Sequence, residues 1–303
     1  MCIIITLLMC VPVWAGPGNE FLLLDTSVRS AGVAGAFSGF RAGPDGIHYN
    51  PASISGMKGS SVYLENLSWL NDLSYQYISA GTGISGWGFN LSAGLFNMAD
   101  IAFYDENEDY QKDMEYRDLF CALTAGKKIK GFYAGAGVKY VRRVLDTYSA
   151  ATVLFDIGLI RVLSLKYAAF LKNTNKDNFS LGLVLRNIGP GLCFSKERTE
   201  NPSEIVLGAC TEIVKNKRLV LRLLADAGKF LYDDFDLKTG VELGYRDIFF
   251  FRCGRSFLYT ESLGLGLGLK LDLTERLKGD FSYALTLIED YHDQHSIGIR
   301  FSF

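Results

Sequence analysis

The sequence predicts an all-β fold, a transmembrane antiparallel β-barrel of about fourteen strands with an N-terminal hatch, or plug. Three observations predict it. The chain ends in an alternating strand whose last residue is the aromatic Phe303. Apolar residues alternate with glycine or polar residues in about fourteen segments from residue 60 onward. After Pro51 the chain has prolines only at Pro190 and Pro202, and proline breaks a sheet ladder. This pattern is typical of a barrel whose strands face lipid on one side and lumen on the other.

Residues 1–15 are predicted to be a signal peptide. An uncharged apolar run ends in Ala15 and is followed by Gly16. Such a run with a small residue at its end is an export signal, and it is too short to cross a bilayer as a helix. We therefore expect a mature chain that begins at residue 16 and resides in the bacterial outer membrane.

Residues 60–303 are predicted to form the barrel. In one clear segment Leu263, Leu265, Leu267 and Leu269 alternate with glycines, which is a strand period and not a helical one. A soluble β-sandwich also alternates. Glycine would be scarce on its strands, however, because glycine weakens them. Here the less apolar face combines glycine with charges, as expected of a crowded lumen, so the barrel is favoured.

The connections follow from an even strand count with both chain ends in the periplasm. Residues 98–115, which are rich in acidic side chains, and residues 189–203 are predicted to be extracellular loops. Residues 161–178 are predicted to be a periplasmic connection of unusual length.

Charged residues of both signs stand at strand positions that are predicted to point into the lumen. Two interpretations stay open: salt bridges that brace the barrel and the hatch, or a polar path through the lumen. The charges predicted to face the lumen are Lys139, Asp156, Arg186, Arg222, Asp226, Asp236, Lys238, Glu242, Arg252, Lys270 and Arg300.

Several kinds of chemistry find no support in the sequence. The net charge of −2 gives no basic surface for nucleic acid. The cysteines form no C-x-x-C pair and the histidines share no ligand spacing, so no metal or other cofactor is expected. Residues 81–86 match G-x-G-x-x-G, but a strand and not a helix follows, which predicts a hairpin turn. We expect no enzyme and assign no catalytic residue.

Residues 16–59 do not alternate and are predicted to be the hatch. They contain a run rich in glycine and alanine, an acidic turn, and an aromatic-Asn-Pro-Ala motif. Small residues at close spacing let two backbones pack tightly. The residues that carry the pattern are Ala31, Gly32, Gly35, Ala36 and Phe37, then Asp45, then Tyr49, Asn50, Pro51 and Ala52.

This segment resembles the N-terminal hatch of the FadL-type outer-membrane transporters, and more closely that of their shorter relatives, the PorV/PorQ family. The first resemblance implies a passive conduit for small hydrophobic molecules. The second implies the alternative, a barrel that binds secreted proteins in a type IX secretion system. The expected partners are outer-membrane lipid, the barrel assembly machinery acting on the C-terminal strand, and hydrophobic small molecules or secreted proteins.

Overall fold

The structure is a computed structural model that describes residues 20–69, 73–104, 109–165, 177–194, 197–231, 235–257, 262–288 and 293–303. The predicted signal peptide, residues 1–15, and residues 16–19 of the predicted hatch lie outside this range. Within the described residues, no helix is long and apolar enough to cross a membrane.

The chain is built almost entirely of β-strands. They are β1 (Ser60–Trp69), β2 (Leu73–Ile84), β3 (Trp87–Tyr104), β4 (Tyr110–Ile129), β5 (Phe132–Leu145), β6 (Tyr148–Leu163), β7 (Phe179–Ile188), β8 (Cys193–Phe194), β9 (Glu197–Arg198), β10 (Glu204–Lys215), β11 (Leu219–Phe230), β12 (Phe235–Tyr245), β13 (Phe249–Ser256), β14 (Ser262–Asp272), β15 (Lys278–Ile288) and β16 (Gln294–Ser302).

Fourteen of these strands close into one antiparallel barrel, and β8 and β9 form a separate small hairpin. Each wall strand pairs with its neighbour in the chain, and β1 pairs with β16 to close the ring. The closing seam ends with Phe303, whose backbone amide and carbonyl both bond to Ser60, at 2.9 and 2.8 Å. The predicted antiparallel barrel of about fourteen strands is confirmed.

The outward face of the wall is apolar. Leu91 of β3, Leu123 of β4 and Ile157 of β6 are 58%, 60% and 59% exposed. So large a continuous apolar surface is suited to lipid and not to water. The barrel therefore crosses a membrane with its strands, and its polar residues face inward.

The prediction that residues 98–115 form a loop is wrong. β3 continues to Tyr104 and β4 begins at Tyr110, so the wall extends beyond the membrane on this side. The pairing runs from Met98 with Tyr116 through a bulge to Ile101 with Met114. Pairing with a neighbouring strand satisfies the backbone hydrogen bonds in water as well as in lipid. The β-bulge adds a residue to one strand and so interrupts the alternation of side chains, and this irregular pattern favoured a loop in the sequence analysis. Residues 105–108 lie outside the described range.

Of the other two predicted connections, the 161–178 connection is shorter than expected, whereas the 189–203 connection has the predicted bounds, because β7 ends at Ile188 and β10 begins at Glu204. β6 continues to Leu163 and β7 begins at Phe179, and residues 166–176 between them lie outside the described range. Residues 189–203 include the hairpin of β8 and β9. Residues 85 and 86 form the tight turn between β2 and β3, where Ser85 and Gly86 have positive φ angles of 50° and 80°.

Residues 20–59, here called the luminal segment, precede β1 as a series of short helical turns. The turns are the 3₁₀ turn Glu20–Leu23, α1 (Val28–Ala31), and the 3₁₀ turns Gly43–Gly46 and Pro51–Ile54. Side chains cap two of them. The Ser27 hydroxyl accepts from the Ser30 amide, and the Asn50 side-chain oxygen accepts from the Ala52 amide.

The luminal segment packs against the inside of the wall, backbone against backbone. A Cβ atom placed on Gly182 of β7 would lie 2.1 Å from the Ser38 carbonyl oxygen, and one on Gly254 of β13 would lie 2.2 Å from the Val33 carbonyl carbon. Only glycine permits such approach. Wall glycines in equally close contact with the segment backbone are Gly83, Gly88, Gly135, Gly208 and Gly264.

We predict that Gly182→Ala weakens docking of the luminal segment without preventing barrel closure. The added methyl group overlaps the Ser38 carbonyl, and overpacking of this kind costs about 1–3 kcal/mol. Trypsin cleavage after Arg29 and Arg41, followed by mass spectrometry, should be roughly tenfold faster in the variant. An unboiled sample should keep its altered gel mobility, which reports a closed barrel.

Gly228→Ala is the matched control. Gly228 also faces the lumen, but the nearest atoms to its added Cβ belong to Glu204 and Val206, at 3.3 and 3.4 Å, and not to the luminal segment. If both variants were cleaved at the wild-type rate, the close packing would not hold the segment in place.

Candidate functional site: the barrel interior

The acidic turn and the aromatic residue of the predicted hatch motif both make polar contacts in the lumen. Asp45 accepts a hydrogen bond from Arg300 of β16 at 2.6 Å. The Tyr49 hydroxyl donates to Asp25 at 2.5 Å and accepts from the Thr26 amide at 3.2 Å. Burial, together with the charge of Asp25, raises the pKa of the Tyr49 phenol well above its ordinary value, so the hydroxyl keeps its proton.

The Asn-Pro-Ala part of the motif joins two parts of the luminal segment to the wall. The Asn50 side-chain amide donates to the Ser38 carbonyl at 2.9 Å and to the Leu159 carbonyl of β6 at 3.3 Å. Pro51 opens the helical turn that follows, a position where its missing N–H group costs nothing. Ala52 is fully buried against the wall. The motif is therefore structural, and it fixes the path of the segment across the lumen.

Glu242 of β12 is the centre of the largest charge cluster. Arg29 of the luminal segment donates two hydrogen bonds to it, both at 2.7 Å. Arg222 of β11 and Arg252 of β13 donate one each, at 2.7 and 2.8 Å. Three guanidinium groups on one buried carboxylate form charge-assisted hydrogen bonds, which are roughly twice as strong as neutral ones. The cluster joins the segment to three strands.

Two more of the predicted luminal charges bind the segment directly. Asp226 of β11 accepts from the backbone amides of Phe37 and Ser38, at 3.0 and 2.8 Å. Arg186 of β7 donates to the His48 carbonyl at 3.3 Å. Together with Arg300 and Glu242 these residues hold the segment at four separate places around the wall.

The other predicted charges pair within the wall. Lys139 lies 2.9 Å from Asp156, and Lys238 lies 2.9 Å from Asp236. Lys270 pairs at 2.7 Å with Asp247 in the turn after β12. The Lys139–Asp156 pair links the neighbouring strands β5 and β6, whereas Lys238 and Asp236 lie two residues apart on β12, and each of these charges has its counter-charge within the wall.

Sequence reasoning missed several luminal groups. Glu204 is buried and paired with Arg186, and it stands at the first position of β10, directly after the 189–203 connection. Asp118 and Arg143 form a two-bond ion pair, with both distances 2.6 Å. Both stand at strand positions that point inward, and this would have identified them if the predicted strand had been extended toward residue 110. Glu65 also faces the lumen and accepts from the Tyr63 hydroxyl at 2.7 Å.

An apolar cluster fills the lumen beside β1–β6, toward the end of the barrel opposite Phe303. Here called the aromatic cluster, it brings Phe21 and Leu22 of the luminal segment against the inner wall. The Phe21 and Phe120 rings lie 6.3 Å apart. The wall residues of the cluster are Tyr63, Leu67, Leu73, Tyr75, Tyr77, Phe96, Phe120, Ala122, Val141 and Leu154.

His48 lies beneath the aromatic cluster. Its ring is 5.5 Å from that of Phe120, and its Nε2 atom donates to the Leu22 carbonyl at 3.1 Å. Burial, followed by the nearby charge of Lys139, holds the pKa of His48 well below its ordinary value, so the ring is neutral. His48 thus links the first turn of the segment to the polar part of the lumen.

A cavity of about 560 Å³ lies on the other side of the luminal segment, near the end of the barrel where β16 ends. Its lining is mainly polar and includes Arg29, Asp45, Arg222, Arg252 and Arg300. This polar vestibule and the aromatic cluster lie in different parts of the lumen. The interior is therefore divided into an apolar part and a charged part.

The described residues hold no group of three or more side chains suited to bind a metal ion. Cys121, Cys193, Cys210 and Cys253 are free thiols, and Cys121 and Cys253 lie on the outer face.

We predict that Glu242→Gln strongly destabilises the protein. Removal of one charge from a buried, hydrogen-bonded cluster costs about 3–5 kcal/mol, because the guanidinium groups stay buried. Denaturant titration in detergent, followed by tryptophan fluorescence, should show a lower midpoint. The control is Lys270→Gln, whose partner Asp247 has a 73% exposed side chain. It should cost about 1 kcal/mol or less, and equal midpoints for the two variants would contradict the role of the cluster.

No protein-family model matches the sequence, and no curated protein matches it either. Solved structures do match the barrel. The toluene transporter TodX of Pseudomonas putida has a TM-score of 0.63 and 13% identity, over 91% of this chain and 97% of that one. The toluene transporter TbuX of Ralstonia pickettii has a TM-score of 0.61 and 14% identity, over 93% and 98%. The CymD monoaromatic hydrocarbon channel has a TM-score of 0.60 and 14% identity, over 90% and 96%.

At this level of identity the likeness shows the fold. Each of these chains is covered almost completely, so the likeness extends over the whole barrel and not over a part of it. With its closed ring of fourteen strands and its apolar exterior, the chain is a β-barrel of the bacterial outer membrane.

Proposed function

We propose that the protein is a FadL-like passive conduit for small hydrophobic molecules, and that small aromatic hydrocarbons are its ligand class. The observation that carries the proposal is the aromatic cluster, an apolar site inside a barrel whose lumen is otherwise charged. A lumen that served only for support or for ions has no need of such a site. Residues 20–59 act in this proposal as the hatch.

The aromatic cluster has the chemistry of a hydrocarbon site. Phe96, Phe120 and Tyr77 present rings, and Leu67 and Leu154 complete the apolar surface. A ring-shaped ligand packs against such side chains by edge and face contacts, with centroid distances of about 4.5–7 Å. The Phe21 ring makes this kind of contact, 6.3 Å from Phe120. Phe21 therefore occupies the place that a monoaromatic ligand would take.

The structural neighbours support the same ligand class. Two of them are toluene transporters and one is a monoaromatic hydrocarbon channel. Their shared fold with this chain makes a conduit for similar molecules the simplest use of an aromatic luminal site. That these neighbours are channels also favours a protein without enzymatic activity.

The described form of the barrel is closed. The wall is hydrogen-bonded all round, and the cavity beneath the luminal segment is polar, which is unfavourable for a hydrocarbon. Passage therefore requires movement of the first turn of the hatch, Glu20–Leu23. Phe21 and Leu22 of this turn rest on apolar side chains, whereas the part from Arg29 onward is held by ion pairs. The first turn can then leave while the rest of the hatch stays.

The secretion alternative, binding of secreted proteins as in the PorV/PorQ family, has no support in these comparisons and stays a prediction. The expected assembly through the C-terminal strand and the closer PorV/PorQ resemblance stay predictions as well.

We predict that the double substitution Phe21→Ala and Leu22→Ala increases toluene uptake. Both side chains compete with the ligand for the aromatic cluster, and burial of one such side chain is worth about 1.5–3 kcal/mol. The rate of radiolabelled toluene uptake by cells that carry the protein in their outer membrane should rise roughly tenfold. Benzoate, which carries a charge, should show no such rise.

Phe89→Ala with Leu91→Ala is the matched control, because these side chains face lipid and not the lumen. Its uptake should equal that of the wild type. Cells without the protein give the background rate of toluene uptake. If the wild type and both variants showed only this background rate, the protein would not be a conduit for toluene.

A further inference from the structure

Two arginines on the outer surface of β4 and β5 have no part in the luminal function. Arg117 of β4 and Arg142 of β5 both have exposed side chains and stand at strand positions that point toward the lipid. Arg117 pairs across the strands with Val144, and Arg142 pairs with Leu119, so the two arginines are diagonal neighbours on adjacent strands. Side chains at such positions lie about 7–8 Å apart at Cβ, within reach of a single anion.

Both arginines stand at one edge of the apolar band. At the other edge Trp87, Lys127 and Phe132 form a girdle at the turns of β3, β4 and β5. Arg117 and Arg142 lie about ten residues along their strands from this girdle, a height of about 25 Å for strands tilted as in such barrels. This distance is the thickness of the lipid-facing band. The arginines therefore lie at the membrane surface on the side opposite the tight turns at residues 85–86 and 130–131, and because tight turns of such barrels are periplasmic, this surface is the outer leaflet.

Between the two edges the outer surface is hollow. Ala80, Ala93, Ala125 and Ala136 stand on adjacent strands among leucines and phenylalanines, and the missing side-chain volume leaves two adjoining depressions of about 620 and 430 Å³. Their lining is almost wholly apolar. Leu119, the cross-strand partner of Arg142, lines the upper depression. The apolar groove therefore continues up to the arginine pair.

We propose that the outer face of β1–β6, together with the adjoining β16, binds one molecule of the phosphorylated glycolipid of the outer leaflet, lipopolysaccharide. Its lipid A phosphate lies on Arg117 and Arg142, and its acyl chains lie in the two depressions. Guanidinium groups bind phosphate by paired hydrogen bonds, and alkyl chains fill apolar hollows that would otherwise leave a gap in the lipid. The assignment concerns the outside of the barrel and does not depend on what passes through the lumen.

The charges around the two arginines favour binding of an anion, and one carboxylate, that of Glu115, competes with it. Arg142 has no ion-pair partner in the described part of the chain. Arg117 donates to Asn97 at 3.1 Å and pairs with Glu115 at 3.1 Å, and the Arg117 and Glu115 side chains are both about half exposed. An exposed ion pair of this kind is weak, so a phosphate can replace Glu115 on Arg117. Glu115 is then a side chain that opposes binding, and its charge offers a test in the opposite direction.

The test is native mass spectrometry of the purified full chain in detergent, titrated with diphosphorylated lipid A. We expect a one-to-one complex that Arg117→Gln with Arg142→Gln weakens roughly tenfold or more. Glu115→Gln should strengthen it. The matched control is Lys127→Gln with Arg161→Gln, which removes two charges from the opposite edge of the same face and should leave binding unchanged. Lipid A without phosphates should bind as weakly to the wild type as lipid A does to the double-arginine variant.

Equal binding of lipid A to the wild type and the double-arginine variant would overturn the proposal. The proposal would also be overturned if phosphatidylglycerol bound with the same affinity and with the same dependence on both arginines. The site would then be one for anionic phospholipids in general. All variants should keep the altered mobility of an unboiled barrel on a gel, and the opposite shifts of the arginine and Glu115 variants exclude a loss of fold as the cause.

Discussion

The structure depends on close contact between two backbones, that of the luminal segment and that of the inner wall. Gly83, Gly135, Gly182 and Gly254 place no side chain where the segment passes, and a methyl group at any of them would meet its backbone within 2.2 Å. Glycine weakens a strand, yet these positions lie on wall strands that are paired on both sides. Space for the segment therefore decides which residues the inner face can carry.

The luminal charges hold the segment in the space that the glycines leave open. Glu242, Asp226, Arg186 and Arg300 bind it at separate strands, while the remaining luminal ion pairs brace the wall. Ion pairs thus account for most of the luminal charges, and three of the paired arginines, Arg222, Arg252 and Arg300, also line the polar vestibule. The first turn is different, because Phe21 and Leu22 rest on apolar side chains. A segment held firmly in one part and weakly in another can open locally, without unfolding of the barrel.

The sequence was sufficient for the fold, because strict period-two alternation specifies which side of a strand meets lipid. It was sufficient for inward charges such as Glu242 and Arg252 for the same reason. Residues 98–115 were mistaken for a loop, since strands that leave the membrane lose the apolar alternation while they keep their pairing. The aromatic cluster was missed because Tyr75 and Phe120 are apolar residues on the inward side. Alternation alone cannot distinguish an apolar lumen from a lipid face, and only the closed ring shows that these rings meet Phe21.

Ion conductance in planar bilayers shows whether the luminal segment closes the barrel. The intact protein should show no steady conductance, whereas a variant that lacks residues 20–56 should form an open pore through the charged lumen. Both proteins must first show the mobility shift of a folded barrel on an unboiled gel. Equal conductance from the two folded proteins would contradict the account, because the segment would then not be what closes the lumen.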